Sequence, residues 1–342
     1  MADKKILVCF NEPKSIYENY TGKDSENTLK TDLSEKGFVE QIESIISIIS
    51  EEFNEVKGLP VNGNTRSLFN ELKTYQPDAI LNLIESVDGN SHFESYCAGL
   101  FEMLSIQYTG NTGLTLGNCL FKQRTKRILI GSGIPTPKYL VAQYRSKEKL
   151  NFAELKFPIM VKLLSEDASI GISENSVVKN IDELYKRMEY LFMNFKQDLL
   201  VEEFIDGREL NVSILNNEVL PISEISFKGL SKELPKIITY EAKWSPESEY
   251  YKHTVPVCPA KLSERAVKKV SEIALASFNA MGCRDYARVD IRLSKNNSPY
   301  VIEVNPNPDI SPDSGFARSA AAAGLSYDML IKKLVMLAIN RN

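Results

Sequence analysis

The chain has 342 residues, 43% apolar and 25% charged, the composition of a globular protein with room for two or three lobes. Its 41 lysines and arginines against 45 aspartates and glutamates leave a net charge of −4, which excludes a broad basic field for nucleic acid or an anionic membrane surface. No apolar run reaches the ~20 residues that cross a bilayer, and two histidines exclude a histidine-rich zinc site, so any metal must rest on oxygen ligands, which favours magnesium or manganese.

The opening MADKKILVCF leads straight into a strand over 5–10 and does not read as a signal peptide. Five widely spaced cysteines, with no C-x-x-C, read as buried reduced thiols of a cytoplasmic protein. Isoleucines at helical spacing predict a helix over 33–53. A strand over 56–61, a helix over 65–75, a strand over 78–83 and a helix over 93–104 follow. Strands separated by helices predict a parallel sheet with crossover helices, an α/β lobe spanning residues 1–115.

One helix is expected over 117–130, carrying Lys122, Arg124, Lys126 and Arg127, and Gly133-Ile-Pro-Thr-Pro137 stops it. Strands over 139–142 and 157–162 precede a polar stretch, 165–173, before a short strand over 176–178. Asp182 is the expected N-cap of an amphipathic helix over 182–195, and 199–205 is again strand. From Gly207 the pattern is strand-rich, with a helix over 263–281 and a closing helix over 327–339. Strands over 286–293 and 300–304 flank Lys295-Asn-Asn-Ser-Pro299, a hairpin turn composition.

That hairpin carries the strongest chemical signal. Arg288-Val-Asp290 and Glu303-Val-Asn305 each place two polar side chains on one face of a strand, because alternate residues share a face. Paired in a hairpin, the four groups bring two carboxylates, an amide oxygen and a guanidinium into one small volume. Clustered carboxylates repel unless a cation neutralises them, and magnesium is commonly held by one or two carboxylates plus substrate phosphates. The plainer reading is a surface salt bridge from Arg288 to Asp290 or Glu303; the apolar neighbours Val289, Ile291, Val301, Ile302 and Val304 count against it by anchoring both strands in a core.

Ala287–Asp290 followed by Val301-Ile-Glu-Val-Asn-Pro306 resembles the metal-binding hairpin of ATP-grasp ligases, within them the D-alanine–D-alanine ligase group. The resemblance covers the chain from about Phe93 onward. It implies an ATP-grasp fold of two α+β subdomains, 116–205 and 206–342, holding ATP between them behind the N-terminal lobe. It implies Asp290, Glu303 and Asn305 as ligands of two magnesium ions on the ATP phosphates, and Arg288 as the catalytic arginine. Lys122 and Lys162 resemble the family's two ATP-contacting lysines, each otherwise a solvated surface lysine. Leu200-Val-Glu-Glu-Phe-Ile205 resembles the strand that reads adenine through backbone groups around Glu202, Glu203, Phe204 and Ile205, and Glu209 matches the ribose-binding glutamate. Ser165-Glu-Asp-Ala-Ser-Ile-Gly171 sits where the family has a phosphate-closing loop, with Ser169 as the direct contact and an ordinary turn as the alternative. Lys243, in Tyr240-Glu-Ala-Lys-Trp244, resembles the family's lysine beside the substrates.

The substrate-reading segments depart from the family. Cys9-Phe-Asn-Glu-Pro13 stands in place of a glycine-rich turn with an amine-binding glutamate, leaving Glu12 as the substitute. After Asn305 the chain reads Pro306-Asn-Pro-Asp-Ile-Ser-Pro-Asp-Ser314, with Asp309 at the family's glycine position, Asp313 added and Ser314 at the substrate-binding serine. Two aspartates there favour a cationic acceptor, and at least one is expected to meet a cation if buried. The resemblance therefore implies an ATP- and magnesium-dependent carboxylate–amine ligase acting on small molecules, amino acids or a short peptide, as a cytoplasmic homodimer. The alternatives are an authentic D-alanine–D-alanine ligase, and a nucleotide-binding protein that no longer ligates. No G-x-x-x-x-G-K-[ST], complete G-x-G-x-x-G or H-E-x-x-H motif competes.

Overall fold

The computed structural model describes residues 2–12, 38–146, 150–166 and 169–341. The N-terminal lobe runs β1 (Ala2–Asn11), α1 (Phe38–Ser50), β2 (Phe53–Val61), α2 (Thr65–Tyr75), β3 (Ala79–Leu83) and α3 (His92–Met103). Its sheet is parallel, ordered β2-β1-β3, with Ile6 beside Val56 and Ala79. Every residue of β3 is buried, as a parallel strand covered on both faces requires. Leu68, Leu72, Ala98 and Phe101 cover one face. Ile45 and Ile49 of α1 cover the other, joined by Leu330, Leu334 and Ala338 from the far end of the chain. Residues 33–37 of the expected first helix lie outside the described residues, and β2 begins three residues earlier than expected.

The single helix expected over 117–130 is two helices, α4 (Gly113–Leu120) and α5 (Lys122–Gly131). The backbone leaves helical geometry at Phe121, with φ −86° and ψ 94°. Thr112 caps α4 by accepting from the Thr115 amide. The break makes Lys122 the first residue of α5, so Lys122 and Lys126 stand one turn apart on one face.

The next sheet holds β4 (Tyr139–Ala142), β5 (Ile159–Leu163), β6 (Val177–Val178) and β7 (Leu199–Glu203), with α6 (Ile181–Phe195) between the last two. Its order is β4-β7-β5-β6, all antiparallel. Leu184, Met188 and Leu191 form the buried stripe of α6 against Val161 and Val201. Asn180, not Asp182, caps this helix, accepting from the Glu183 amide; Asp182 sits inside the first turn, where its charge suits the helix dipole.

The C-terminal part contains β8 (Gly207–Leu215), β9 (Glu218–Val219), β10 (Ser223–Ser226), α7 (Tyr240–Trp244), α8 (Glu249–His253), β11 (Val255–Val257), α9 (Glu264–Ala280), β12 (Tyr286–Ser294), β13 (Pro299–Asn305), α10 (Gly315–Ala322) and α11 (Tyr327–Ile339). The sheet order is β11-β10-β8-β12-β13, with β9 paired to β8. Val270, Ala274 and Phe278 of α9 bury one face against Val212, Val289 and Ile291. Gly207, where the chain passes from β7 into β8, has no room for a side chain, since a Cβ there would meet the Leu293 carbonyl oxygen at 2.0 Å. The short helices α7, α8 and α10 fall in segments whose pattern is too brief to show a 3.6-residue period. The sheet face opposite α9 looks across a cleft of about 1840 Å³ toward the β4–β7 sheet, with the N-terminal lobe closing one end.

Candidate active site

The β12–β13 hairpin forms in the register that alternation predicts, with Arg288 opposite Asn305 and Asp290 opposite Glu303. Between Asp290 and Ile291 the register slips, so Ile291 faces Val301 and Ile302 is the extra residue of a bulge. The bulge resets the alternation. Val301 and Val304 go into the core, while Ile302 turns to the cleft beside Glu303, so Ile302 is not the core anchor expected of it.

Arg288 grips Asp290 through two parallel bonds, Nε to Oδ1 at 2.8 Å and Nη2 to Oδ2 at 2.9 Å. Asn211, opposite Asp290 on β8, donates to Oδ1 at 2.7 Å, and Asn305 donates its Nδ2 to Oδ2 at 3.0 Å. The salt bridge of the plainer reading is thus real, but it lines the cleft rather than the outer surface. With its nitrogen committed to Asp290, Asn305 has its amide oxygen as the atom that could hold a cation. Burial would raise the Glu303 carboxyl, yet Lys122, Lys162, Arg288 and Lys243 together hold it down to about 2. Burial opposes the Arg288 charge, while Asp290, Glu303 and Asp309 keep the guanidinium protonated. Among the described residues no group of three or more His, Cys, Asp or Glu side chains forms a metal cage. Two carboxylates and an amide oxygen fit magnesium, which takes few protein ligands and completes its shell with phosphates and water.

The facing sheet supplies cations. Lys162 on β5 is buried, its Nζ 2.8 Å from Glu202 Oε1, and Glu202 Oε2 lies 2.6 Å from Lys126 of α5. Burial alone would raise the Glu202 carboxyl; Lys126 and Lys162 keep it below the usual carboxylate value. Lys122 reaches over the Glu166 carbonyl oxygen at 2.5 Å, at the start of the loop that carries Ser169. Ser169 adopts φ +61° and lines the cleft, its carbonyl accepting from Ile172 at 3.0 Å. Ala168 lies outside the described residues.

In the strand expected to read adenine, several groups are already engaged. The Glu203 amide donates to Lys138 O and the Phe204 amide to Pro158 O, each at 2.9 Å, and Ile205 O accepts from Arg292 Nε at 2.9 Å. Glu203 Oε1 accepts from the Lys156 amide. Glu209 is held by Arg292 Nη1 at 2.8 Å, and the same guanidinium lies 4.8 Å above the Phe204 ring. Burial raises the Glu209 carboxyl against the pull of Arg292, and Asp290 and Glu303 add to the rise.

The opposite end of the cleft is looser. Asp309 and Asp313 line it and are exposed, so neither needs the buried cation partner expected from sequence. Asp309 accepts from Ser311 N and Oγ, and Arg318 donates to the Asp313 backbone carbonyl rather than to its carboxylate. Ser314 is the N-cap of α10, accepting from the Ala317 amide at 3.1 Å. Lys243, on α7, lines the same cleft. Glu12 sits outside the cleft wall, accepting from Asn62 Nδ2 at 2.9 Å, while its neighbour Asn11 lines the cleft. Adjacent residues at a strand end point to opposite sides, which separates the two.

Four contributors escaped the sequence reading. Lys126 and Arg292 carried signals, one a turn beyond Lys122 and the other two residues beyond Asp290 on the same face. Asn211 and Asn307 carried none. Asn307 donates to Ile84 O and to Glu94, each at 3.0 Å, tying the loop after β13 to the N-terminal lobe.

A family model described as D-ala D-ala ligase C-terminus matches residues 128–336. An uncharacterized protein of Sinorhizobium fredii is 34% identical over 265 residues, 77% of this chain and 75% of that one. A D-alanine–D-alanine ligase of Carboxydothermus hydrogenoformans is 35% identical over 253 residues, 70% of this chain and 76% of the relative. The crystal structure of D-alanine–D-alanine ligase from Bacillus anthracis complexed with ATP shares the fold, with TM-score 0.74 and 24% identity over 98% of this chain and 97% of that one.

Proposed function

Because this chain belongs to the D-alanine–D-alanine ligase family of ATP-dependent, ADP-forming ligases, we propose that it joins an amino-acid carboxylate to an amine through an acyl phosphate, with an acceptor other than plain D-alanine. The carrying observation is the meeting, in one cleft, of Arg288, Asp290, Glu303 and Asn305 on one sheet with Lys122 and Lys162 on the opposing side.

ATP supplies the phosphoryl group, and one or two magnesium or manganese ions offset the charge on its phosphates. Asp290, Glu303 and the Asn305 amide oxygen would hold the metal, and Lys122, Lys162 and Ser169 the phosphate oxygens. Residues 202–205 would take the adenine and Glu209 the ribose. Arg288, locked by Asp290, offers its guanidinium to the transferring phosphoryl group and then to the oxyanion that develops when the amine attacks. A substrate carboxylate oxygen displaces ADP; the amine nitrogen then displaces phosphate, which leaves carrying that oxygen and takes up the proton the nitrogen sheds. Lys243 would orient the carboxylate, and Asp309 and the Ser314 segment would face the acceptor. Positioning and charge do most of this work, which is why the site is built from lysines, an arginine and metal ligands.

The test is incubation with ATP, magnesium and pooled D- and L-amino acids, followed by mass spectrometry of ligated products. A dipeptide whose acceptor is not D-alanine is expected. D-Alanyl-D-alanine as the main product would instead favour the second reading, which the name of the Carboxydothermus relative supports. ATP turnover without any ligated product would overturn both. The proposal extends to a cytoplasmic homodimer; a monomer in sedimentation equilibrium would contradict the assembly.

A further inference from the structure

We propose that Lys126, which does not line the cleft, sets the charge of the phosphate seat by acting through Glu202 on Lys162. The proposal rests on reading the cleft as the ATP site.

The three groups form a buried chain. Lys126 and Lys162 flank the Glu202 carboxylate, one on each oxygen, at 2.6 and 2.8 Å, with side-chain exposures of 0%, 6% and 3% for Lys126, Lys162 and Glu202. Lys162 and Glu202 share a face of the β5–β7 pair, since Lys162 stands opposite Leu200, two residues before Glu202. Lys126 faces a carboxylate and two oxygen acceptors, the surroundings an ammonium requires. Thr136 Oγ spends its own proton on Val301 O at 2.8 Å, so it can only accept from Lys126, also at 2.8 Å; Pro137 O accepts a second bond at 3.4 Å, and Glu202 Oε2 stands 2.6 Å away as the ion-pair partner. Burial, with Lys162 nearby, brings the Lys126 value below its ordinary one, and Glu202 and Glu303 offset part of that fall.

Two positive charges against one negative leave a surplus of one, delivered at Lys162, the member that lines the cleft beside Glu202. Without Lys126, Glu202 would neutralise Lys162 and the surplus would vanish. Lys126 is therefore a positioning residue: it occupies one oxygen of Glu202 so that Lys162 remains net cationic toward phosphates. A buried ammonium is costly unless matched in this way, and a plain apolar residue would fill the same space more cheaply if only packing were needed.

The readout is the ratio of ATP affinity to adenosine affinity, measured by calorimetry on the full chain, because adenosine shares the adenine and ribose contacts but has no phosphates. Lys126→Met is expected to lower the ratio roughly 10–100-fold, the loss of one charge-assisted contact. Glu202→Gln is expected to raise it above wild type, and Lys126→Met with Glu202→Gln to return it near wild type. Equal losses of ATP and adenosine in Lys126→Met would show a merely structural role and overturn the proposal, as would a double variant no better than the single. If Lys126→Met does not fold, an unchanged ratio in Glu202→Gln overturns it alone. A wild-type protein that binds ATP no better than adenosine would defeat the ATP-site reading itself, and the proposal with it.

Discussion

The two ends of the cleft are built differently. At the proposed nucleotide end, Lys162, Glu202, Arg292, Glu209 and the Arg288–Asp290 fork sit on strands and are engaged in pairs of 2.8–2.9 Å. At the proposed acceptor end, Asp309 and Asp313 are exposed on the loop between β13 and α10, where Asp309 accepts from Ser311. Strand geometry fixes a side chain to within a fraction of an ångström, which phosphoryl transfer demands. A surface loop can change residues without disturbing a core, so recognition of the acceptor is free to diverge. Arg288, Asp290, Glu303 and Asn305 stand on strands, and Asp309 and Asp313 on the loop that follows β13.

Breaking the strand-held end should have the largest effect. Asp290→Asn or Glu303→Gln should reduce ATP turnover on the order of 10³-fold while circular dichroism remains native, since several kcal/mol of charge stabilisation is lost with the cation's partners. Turnover near wild type in both variants would contradict the metal assignment. Arg288→Ala should follow at roughly 10²-fold in kcat, the usual scale for removing one preorganised oxyanion donor. A change confined to KM would place Arg288 in ground-state binding instead.

Glu209→Gln or Arg292→Met should raise the KM for ATP about tenfold, from one lost ribose contact or its lost support, with little change in kcat.

Glu202 also sharpens the contrast through pH. Its carboxyl is held below the ordinary value of 4.5 in the folded chain, so it binds fewer protons folded than unfolded. Its stabilisation is therefore complete above about pH 4.5 and lost as pH falls below it. Wild-type Tm should drop more steeply than that of Glu202→Gln below pH 4.5; parallel curves would show that the carboxylate contributes nothing through its charge.

The smallest change in rate belongs to the acceptor end. Asp309→Gly should leave ADP formation within about threefold under saturating acceptor, since an exposed charge interacts weakly. It should still alter which acceptors compete. Identical acceptor profiles in wild type and Asp309→Gly would remove Asp309 from the acceptor pocket.

The same contrast explains what was legible in the sequence. Period-2 alternation placed Arg288, Asp290, Glu303 and Asn305 together, because a hairpin of that pattern has one register that keeps Val289 and Val304 in the core. The bulge at Ile302 did not show, since Val301 and Ile302 are both apolar and nothing in the pattern says which of them turns into the core. Helix starts depended on single hydrogen bonds: Asn180 and Asp182 are equally good caps by type, and only the fold shows that Asn180 accepts from Glu183. Lys126, Asn211 and Asn307 matter through partners 76, 79 and 213 positions away in Glu202, Asp290 and Glu94, a distance over which no local pattern operates.

The central claim, that this cleft activates a carboxylate by phosphorylation, is tested most directly by isotope transfer. Amino acids labelled with ¹⁸O in the carboxyl group are incubated with ATP, magnesium and the protein, and the released phosphate is weighed by mass spectrometry. An acyl phosphate predicts ADP together with phosphate carrying one ¹⁸O atom for each bond formed. Unlabelled phosphate, or AMP and pyrophosphate in place of ADP, would contradict it.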